Sequence, residues 1–195
     1  MREDTKNSII SIKICLLKDA LIDAMKTLKE AITTQRLSLH SLSEYDNKPL
    51  ITVLKSDEVS KFYMVPELKT SEDETNLFSI LLDLSHRDER YVYGIYLNDI
   101  LIGIINDTEI AGSRIELGYA MNPDYFGCGY MTEALNGMIK HLFNRGFKEV
   151  VAGAFQDNIA SIRVMQKCGM SLIERTDKIL YRNVYRTCIF YSIKK

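Results

Sequence analysis

The stretch that decides the fold reads Asn122-Pro123-Asp124-Tyr125-Phe126-Gly127-Cys128-Gly129-Tyr130-Met131-Thr132-Glu133-Ala134. Two glycines stand one residue apart, between the end of a strand pattern and the start of a helix pattern. Glycines let the backbone turn tightly and present successive N–H groups. The first turn of a helix adds N–H donors without partners and the positive end of the helix dipole. The stretch therefore predicts a cradle for a pyrophosphate-sized anion.

Other interpretations of this loop are tested by its spacing. A glycine pair before a helix is also common in tight strand-to-helix turns that bind no ligand. The dinucleotide-binding fingerprint needs a third glycine, and Thr132 stands at that position. The chain has no GxxxxGK[ST] segment, so the P-loop type of nucleotide site is excluded.

The elements around the loop follow from periodicity. Before it, a strand is predicted over 114–121, which Pro123 closes. After it, apolar residues at helical spacing form one stripe that Gly146 ends. The stripe consists of Met131, Ala134, Leu135, Met138, Ile139, Leu142 and Phe143. A strand at 150–155, a helix capped by Asn158 and ended by Gly169, and strands at 171–174 and 185–193 complete the chain.

The first half of the chain predicts a sheet with helices on its faces. Short strands are expected at 36–39, 91–97 and 100–105, with Asn98-Asp99 as a tight hairpin turn and 106–113 as a loop. Helices are expected at 50–63 and 72–84. Before residue 33, the run 9–17 is apolar and fits a strand or a helix equally. Helical spacing then recurs at Leu21, Ile22, Met25, Leu28 and Ile32.

Composition narrows the class of protein. The chain has 195 residues and a formal net charge of −1, so no basic field recruits DNA or an anionic membrane. No apolar run approaches the ~20 residues of a membrane span, and the N-terminus lacks the order of a signal peptide, so a cytoplasmic protein is expected. The four cysteines and three histidines are scattered, which predicts reduced thiols and no metal site.

Three segments together resemble the GNAT acetyltransferases, in the branch that includes the ribosomal-protein N-terminal acetyltransferases. The first is Glu116-Leu117-Gly118-Tyr119-Ala120-Met121-Asn122-Pro123 with the glycine loop that follows it. The second is Asn158-Ile159-Ala160-Ser161 and its helix, which ends in Lys167-Cys168-Gly169-Met170. The third is Thr34-Gln35-Arg36-Leu37-Ser38-Leu39, similar to the branch's opening strand.

The resemblance implies a GNAT, or acyl-CoA N-acyltransferase, fold over residues 33–195, behind an N-terminal helical extension at 1–32. This is an α/β fold with a mixed, mostly antiparallel central sheet, a splayed strand pair and flanking helices. The pantetheine arm of acetyl-CoA is expected to enter between the strands at 114–121 and 150–155. The residues implied in cofactor binding are Ala120, Met121, Phe126, Gly127, Cys128, Gly129, Tyr130, Met131, Thr132, Asn158 and Ser161. Asp124 and Cys128 depart from the family pattern, in which Gln or Arg is frequent at the first position and a basic residue at the second.

The resemblance also implies the chemistry. An amine must lose a proton before it attacks the thioester, and Glu116 is the expected base. The N–H of Met121 is the expected donor to the tetrahedral oxyanion, and Ser161 the expected acid for the thiolate. Glu116 also fits a structurally paired strand carboxylate, and Ser161 a first-turn helix hydroxyl. Tyr119 and Tyr130 are reserve candidates, and no metal is required.

The acceptor remains open at this stage. A protein N-terminus, a polyamine or another small-molecule amine all fit, and a homodimer is expected. The acidic residues Asp57, Glu58, Glu72, Asp73 and Glu74 predict either a rim that attracts cations or a solvated helix face. The alternatives to an enzyme are a non-catalytic GNAT-like module that binds acyl-CoA and an interaction role of the N-terminal extension.

Overall fold

The computed structural model describes residues 29–195, so the predicted strand or helix at 9–17 and most of the predicted helix at 21–32 lie outside the described residues. The last residue of that stripe is not helical. Ile32 forms strand β1 (Ile32–Thr33), where it pairs with Leu39. Its side chain is buried.

An eight-stranded sheet organises the described residues, in the order β1-β2-β3-β4-β5-β6-β8-β7. Every neighbouring pair is antiparallel except β5 and β6, which are parallel. The mixed, mostly antiparallel sheet predicted from the sequence is thereby confirmed. The remaining strands are β2 (Ser38–His40), β3 (Tyr93–Leu97), β4 (Ile100–Ala111), β5 (Arg114–Met121), β6 (Glu149–Phe155), β7 (Ser171–Tyr181) and β8 (Val184–Lys194).

Five α-helices flank this sheet within the described range. They are α1 (Asn47–Lys55), α2 (Asp57–Ser60), α3 (Ser71–His86), α4 (Tyr130–Asn144) and α5 (Ile159–Lys167). None of the helices between residues 29 and 195 has the length and apolar content needed to cross a membrane.

The two faces of the sheet carry separate cores because neighbouring strand residues point to opposite faces. Ile95, Ile102 and Met121 pack with α4 in one buried cluster. Their chain neighbours Tyr96, Leu101 and Ala120 pack with α1 in another. The helices that follow the glycine loop and the helices that precede β3 therefore cover opposite faces.

Several sequence predictions agree with these elements. Asn98 and Asp99 have φ of 49° and 63°, the left-handed pair that a two-residue hairpin turn requires. Helix α3 begins after Thr70, whose hydroxyl accepts from the N–H of Asp73. Helix α4 ends before Gly146, whose φ of 99° suits glycine.

Three predictions about element length were wrong. The expected loop at 106–113 is strand as far as Ala111, because this polar segment pairs with β5 along its length. The expected helix at 50–63 is two helices, separated at Ser56, where ψ of 142° is extended. Strand β7 runs on to Tyr181 instead of stopping at 174, since its polar residues remain paired with β8 in an exposed hairpin.

Candidate active site

A gap opens in the middle of the sheet, between the two parallel strands. The pairing of β5 with β6 runs from Arg114 opposite Glu149 to Leu117 opposite Ala152, and then stops. Strand β5 continues to Met121 and β6 to Phe155, so the two strands diverge over their last residues. The predicted splayed strand pair is therefore present at the predicted strands.

The backbone of β5 presents donors to this gap. The N–H of Asn122 donates to the carbonyl of Ile102 on the β4 side at 2.8 Å. Backbone groups of an antiparallel strand alternate between its two sides, so the N–H groups of Tyr119 and Met121 point away from β4 and toward the gap. Met121 thus has the orientation expected of an oxyanion donor. The N–H of Ala120 points the other way, toward β4, and its side chain is buried in the α1 core.

The glycine loop lies at the open end of the gap. Residues Pro123–Tyr125 form a short 3-10 turn, started by Asn122, whose side-chain oxygen accepts from the N–H of Asp124 at 3.1 Å. Gly127 and Gly129 both have positive φ, 76° and 79°, and Gly129 caps α4 without a side chain. A side chain on Gly127 would meet no atom within 4 Å, so the space above the loop is open.

The donors of the cradle can be assigned individually. Within residues 29–195, no backbone carbonyl accepts from the N–H groups of Gly127, Cys128 or Gly129. The first N–H groups of α4 add to them, since the opening turn of a helix has no internal acceptors. The N–H of Phe126 is different, because it donates to the carbonyl of Pro123 at 3.0 Å. The predicted backbone contact from Phe126 is therefore already used, while its side chain is 50% exposed beside the loop.

This arrangement fits a pyrophosphate. An anion cradle needs clustered N–H groups, a free approach and no bulky side chain, and the segment from Gly127 onward has all three. Thr132 is partly buried in the first turn of α4, and Cys128 is exposed, with Sγ 3.6 Å from the carbonyl of Phe126. Neither side chain fills the space above the glycines.

Sequence reasoning did not find the contacts that join Glu133 to Thr34 and Arg36, which we call the clamp. The clamp ties the start of α4 to the segment between β1 and β2. Glu133, in the first turn of α4, accepts from the hydroxyl of Thr34 and from both N–H and Nε of Arg36, each at 2.7 Å. Burial alone would raise the pKa of Glu133, but these hydrogen bonds and the Arg36 charge outweigh it and lower the pKa. Arg36 stands in the opening motif, but no spacing rule connects it with a residue 97 positions away.

Asn158 and Ser161 lie where the resemblance expects them, at the start of α5. The side-chain oxygen of Asn158 accepts from the N–H of Ser161 at 3.1 Å, which is the predicted helix cap. The hydroxyl of Ser161 donates to the phenol oxygen of Tyr119 at 2.8 Å, and Tyr119 donates to the carbonyl of Ser161 at 3.1 Å. Burial raises the pKa of Tyr119 well above its ordinary value, despite the opposing hydrogen bond from Ser161, so the phenol stays neutral.

Glu116 lies on β5, on the face opposite Tyr119, because the two are an odd number of residues apart. One carboxylate oxygen accepts from Arg175 at 2.6 Å and lies 3.5 Å from Arg114. The other accepts only a long bond, 3.3 Å, from the hydroxyl of Thr108. The structure therefore brings Met121, Tyr119 and Ser161 together at the gap, and places Glu116 behind it in an ion pair.

Further contacts build a wall on the Glu116 side, from the β7–β8 hairpin and the end of α2. Tyr181, at the end of β7, donates to the carbonyl of Ser60 at 2.7 Å. Arg186 of β8 pairs with both oxygens of Asp157 at 2.6 Å and donates to the carbonyl of Lys61. These bonds join the β7–β8 hairpin to the segment after α2.

The predicted acidic rim is partly used in local structure. Asp73 accepts from the N–H groups of Lys69 and Thr70, and Glu74 pairs with Lys55. Carboxylates with such partners hold the start of α3 in place, so they contribute less to attracting a cation.

Comparison with known proteins agrees with this geometry. The acetyltransferase (GNAT) domain family matches residues 36–171. An uncharacterized N-acetyltransferase of Bacillus subtilis, YoaA, is 25% identical over 170 residues, which cover 84% of this chain and 96% of that protein.

Solved structures show the same fold. A GNAT-family acetyltransferase from Bacillus anthracis superposes with a TM-score of 0.73 at 24% identity, over 85% of this chain and 98% of that one. RimL, a ribosomal L7/L12 alpha-N-protein acetyltransferase in complex with coenzyme A, superposes with a TM-score of 0.70 at 19% identity, over 85% and 98%. With the family match spanning more than half of the sequence, the chain belongs to the GNAT acetyltransferases.

Proposed function

We propose that this protein binds acetyl-CoA in the gap between β5 and β6 and transfers the acetyl group directly to an amine. The observation that carries the proposal is the interrupted pairing of β5 and β6, with the N–H of Met121 facing the gap and the glycine loop at its open end. An extended pantetheine arm can add to such a strand edge through backbone hydrogen bonds. The donors from Gly127 onward then hold the pyrophosphate.

The chemical step needs a base on the acceptor side. The amine nitrogen attacks the thioester carbon, a C–N bond forms, the C–S bond breaks, and the amine loses a proton. Glu116 is our candidate base. The oxygen that faces Thr108 carries only a 3.3 Å hydrogen bond, so it has lone pairs left for a proton relayed by water, while the other oxygen stays paired with Arg175.

The oxyanion and the leaving group are served from the gap side. The N–H of Met121 donates to the tetrahedral oxyanion. Ser161 donates its hydroxyl hydrogen to the departing sulfur in place of Tyr119, its present acceptor. Tyr119 orients Ser161, because it accepts from the Ser161 hydroxyl and donates to the Ser161 carbonyl. The departing thiolate takes the proton of Ser161, Ser161 regains a proton from water once CoA leaves, and Glu116 releases the amine's proton to water, so one proton is taken up and one is released.

The acceptor class that we propose first is the free α-amine of a peptide or protein. RimL, one of the structural neighbours, acts on the N-terminus of ribosomal protein L7/L12 according to its name. A small-molecule amine is the second class. Peptides with free and blocked N-termini, tested beside a polyamine series, distinguish the two by release of CoA thiol.

The first experiment is calorimetric titration of acetyl-CoA into the wild type, Gly127→Trp and Gly112→Trp. Both glycines have positive φ and open space around them, so the two variants carry similar backbone strain. Gly112 lies in the β4–β5 turn, at the end of β5 away from the loop. Binding that is lost only in Gly127→Trp supports the cradle. A wild type that folds but does not bind acetyl-CoA would reject the enzyme and favour a GNAT-like module without cofactor.

Catalytic roles are tested by Glu116→Gln and Ser161→Ala. General acid–base groups contribute roughly 10²–10⁴-fold, so we expect kcat to fall by at least tenfold in each variant. The dissociation constant of acetyl-CoA should stay near that of the wild type for Glu116→Gln, whose side chain lies on the other face. An unchanged kcat would leave Glu116 as a structural partner of Arg175.

The remaining expectations concern the whole chain. We propose that it works in the cytoplasm as a homodimer and that the residues before β1 form a helical extension of the domain, which includes Ile32. Since Ile32 is part of β1, a truncation that tests the extension has to stop before β1. Sedimentation of the full chain beside a chain that begins at Lys29 tests whether the extension carries the dimer contact.

A further inference from the structure

The glycine loop has little positive charge of its own. Residues 122–132 contain no lysine or arginine, and their charged residue is Asp124. A pyrophosphate carries negative charge, and charge-assisted hydrogen bonds are stronger than those from neutral donors. A cation supplied from elsewhere in the fold would therefore matter more here than in a loop with a basic residue.

The guanidinium of Arg36 lies against this loop. Its Nη1 donates to the carbonyl of Cys128 at 3.2 Å, and its central carbon lies 4.4 Å from the centre of the Tyr130 ring. Its Nη2 is 3.7 Å from the position that a Cβ on Gly129 would occupy. The guanidinium thus lies beside Cys128, Gly129 and Tyr130, where the loop meets the start of α4.

The orientation of Arg36 is fixed by Glu133 and Tyr130, in the first turn of α4. Nε donates to Glu133, the Arg36 N–H donates to the same carboxylate, and the ring of Tyr130 supports the plane. Of the five guanidinium N–H groups, the one on Nε donates to Glu133 and one on Nη1 donates to the carbonyl of Cys128. The side chain is nevertheless 41% exposed, so a ligand on the loop can reach it.

We infer that Arg36 is a cofactor-binding residue that donates to the pyrophosphate of acetyl-CoA and supplies the charge that the loop lacks. The inference rests on the proposed function. It assigns to the opening segment of the domain a part in ligand binding, in addition to its place beside β2.

The test separates an effect on pyrophosphate binding from a general effect on the site by using three donors. Acetyl-CoA has the pyrophosphate and the 3′-phosphate, its 3′-dephospho analogue keeps only the pyrophosphate, and S-acetylpantetheine has neither. Arg36→Ala and Arg36→Lys are compared with the wild type by calorimetry for the first two donors and by kcat/KM for the third. Arg87→Ala is the matched control, since it removes the same charge from an exposed pair with Asp83 on α3.

A charged hydrogen bond contributes enough that we expect Arg36→Ala to weaken binding of acetyl-CoA and of the dephospho analogue alike, by about tenfold or more. Arg36→Lys keeps a cation without the planar guanidinium, so its affinity should lie between those of the wild type and Arg36→Ala. The kcat/KM for S-acetylpantetheine should not change in either variant, and Arg87→Ala should bind like the wild type. Urea midpoints of all variants monitor the fold.

Four results would overturn the inference. Normal binding by Arg36→Ala would show that the guanidinium contributes nothing. A loss confined to acetyl-CoA would place the guanidinium on the 3′-phosphate instead. An equal loss with all three donors would mean that Arg36 supports the site as a whole and has no specific part in binding the pyrophosphate. Failure of the wild type itself to bind acetyl-CoA would reject the proposed function and this inference with it.

Discussion

Cys128 differs from the other described cysteines in its surroundings. It is exposed between the two glycines of the loop, whereas Cys168 and Cys188 are buried. Burial raises the pKa of the Cys168 thiol to about 12 and that of Cys188 to about 11, so neither forms a thiolate near neutral pH. Accessibility therefore separates one thiol in the candidate cofactor site from two in the core.

We expect iodoacetamide to modify Cys128 ahead of Cys168 and Cys188, because the reagent needs an accessible thiolate. Saturating acetyl-CoA should slow the reaction at Cys128, since a pyrophosphate in the cradle covers the loop. Peptide mass mapping with time measures both effects, in a Cys15→Ser background because Cys15 lies outside the described residues. Labelling of Cys128 at the same rate with and without acetyl-CoA would argue against the cradle.

At the scale of elements, a glycine inside helix α4 controls how closely β1 approaches. A Cβ on Gly137 would lie 2.8 Å from Cγ2 of Thr34 and 3.5 Å from Cγ2 of Ile32. Thr34 cannot easily move away, because its hydroxyl bonds both Glu133 and the backbone of Leu37. The close packing at Gly137 thus brings the Arg36 segment to the first turn of α4.

Gly137→Ala should destabilise the protein, although alanine is the better helix former. The gain in helix propensity is about 0.5–1 kcal/mol, whereas overpacking typically costs about 1–3 kcal/mol. We expect a net loss of about 1 kcal/mol in the free energy of unfolding, measured by urea denaturation. Lys140→Ala, at an exposed position of the same helix, should change it little. A stabilised Gly137→Ala protein would mean that β1 is loosely held.

The sequence predicted best those elements whose signals are local. The stripe of α4, the Asn98-Asp99 turn and the cap at Asn158 each depend on residues within a few positions of one another. The full lengths of β4 and β7 depend on partner strands, and polar segments such as 106–111 give no periodic signal of pairing. The ion pair of Glu116 with Arg175 and the clamp of Arg36 on Glu133 join distant positions, so they appear only in the folded chain.

At the scale of the whole molecule, buried tyrosine phenols and cysteine thiols make the free energy of unfolding depend on pH in the alkaline range. The pKa values of Tyr63, Tyr96 and Tyr119 are all raised, chiefly by burial, as are those of Cys168 and Cys188. In the unfolded chain, thiols ionise near pH ~8.5 and phenols near ~10. Above ~8.5 the unfolded chain therefore holds fewer protons than the folded protein, and the free energy of unfolding falls as pH rises.

Urea midpoints should thus be nearly constant between pH 7 and 8 and decline steadily above the ordinary thiol pKa of ~8.5, through about pH 11. Cys168→Ala removes one of these groups, so its decline should be shallower even though its midpoint at pH 7 is lower. If the two proteins lose stability in parallel as the pH rises, the Cys168 thiol does not contribute to the dependence.

The short ladder between β5 and β6 has a consequence for how the molecule is held together. Four residue pairs are the direct seam between a block of strands β1–β5 and a block of strands β6–β8. The pantetheine arm of acetyl-CoA, lying in the gap, would accept and donate the backbone hydrogen bonds that β5 and β6 do not make with each other. It would then occupy the place of an additional strand between them. Binding of substrate and stability of the sheet would then be linked, so that substrate in the gap raises the free energy of unfolding.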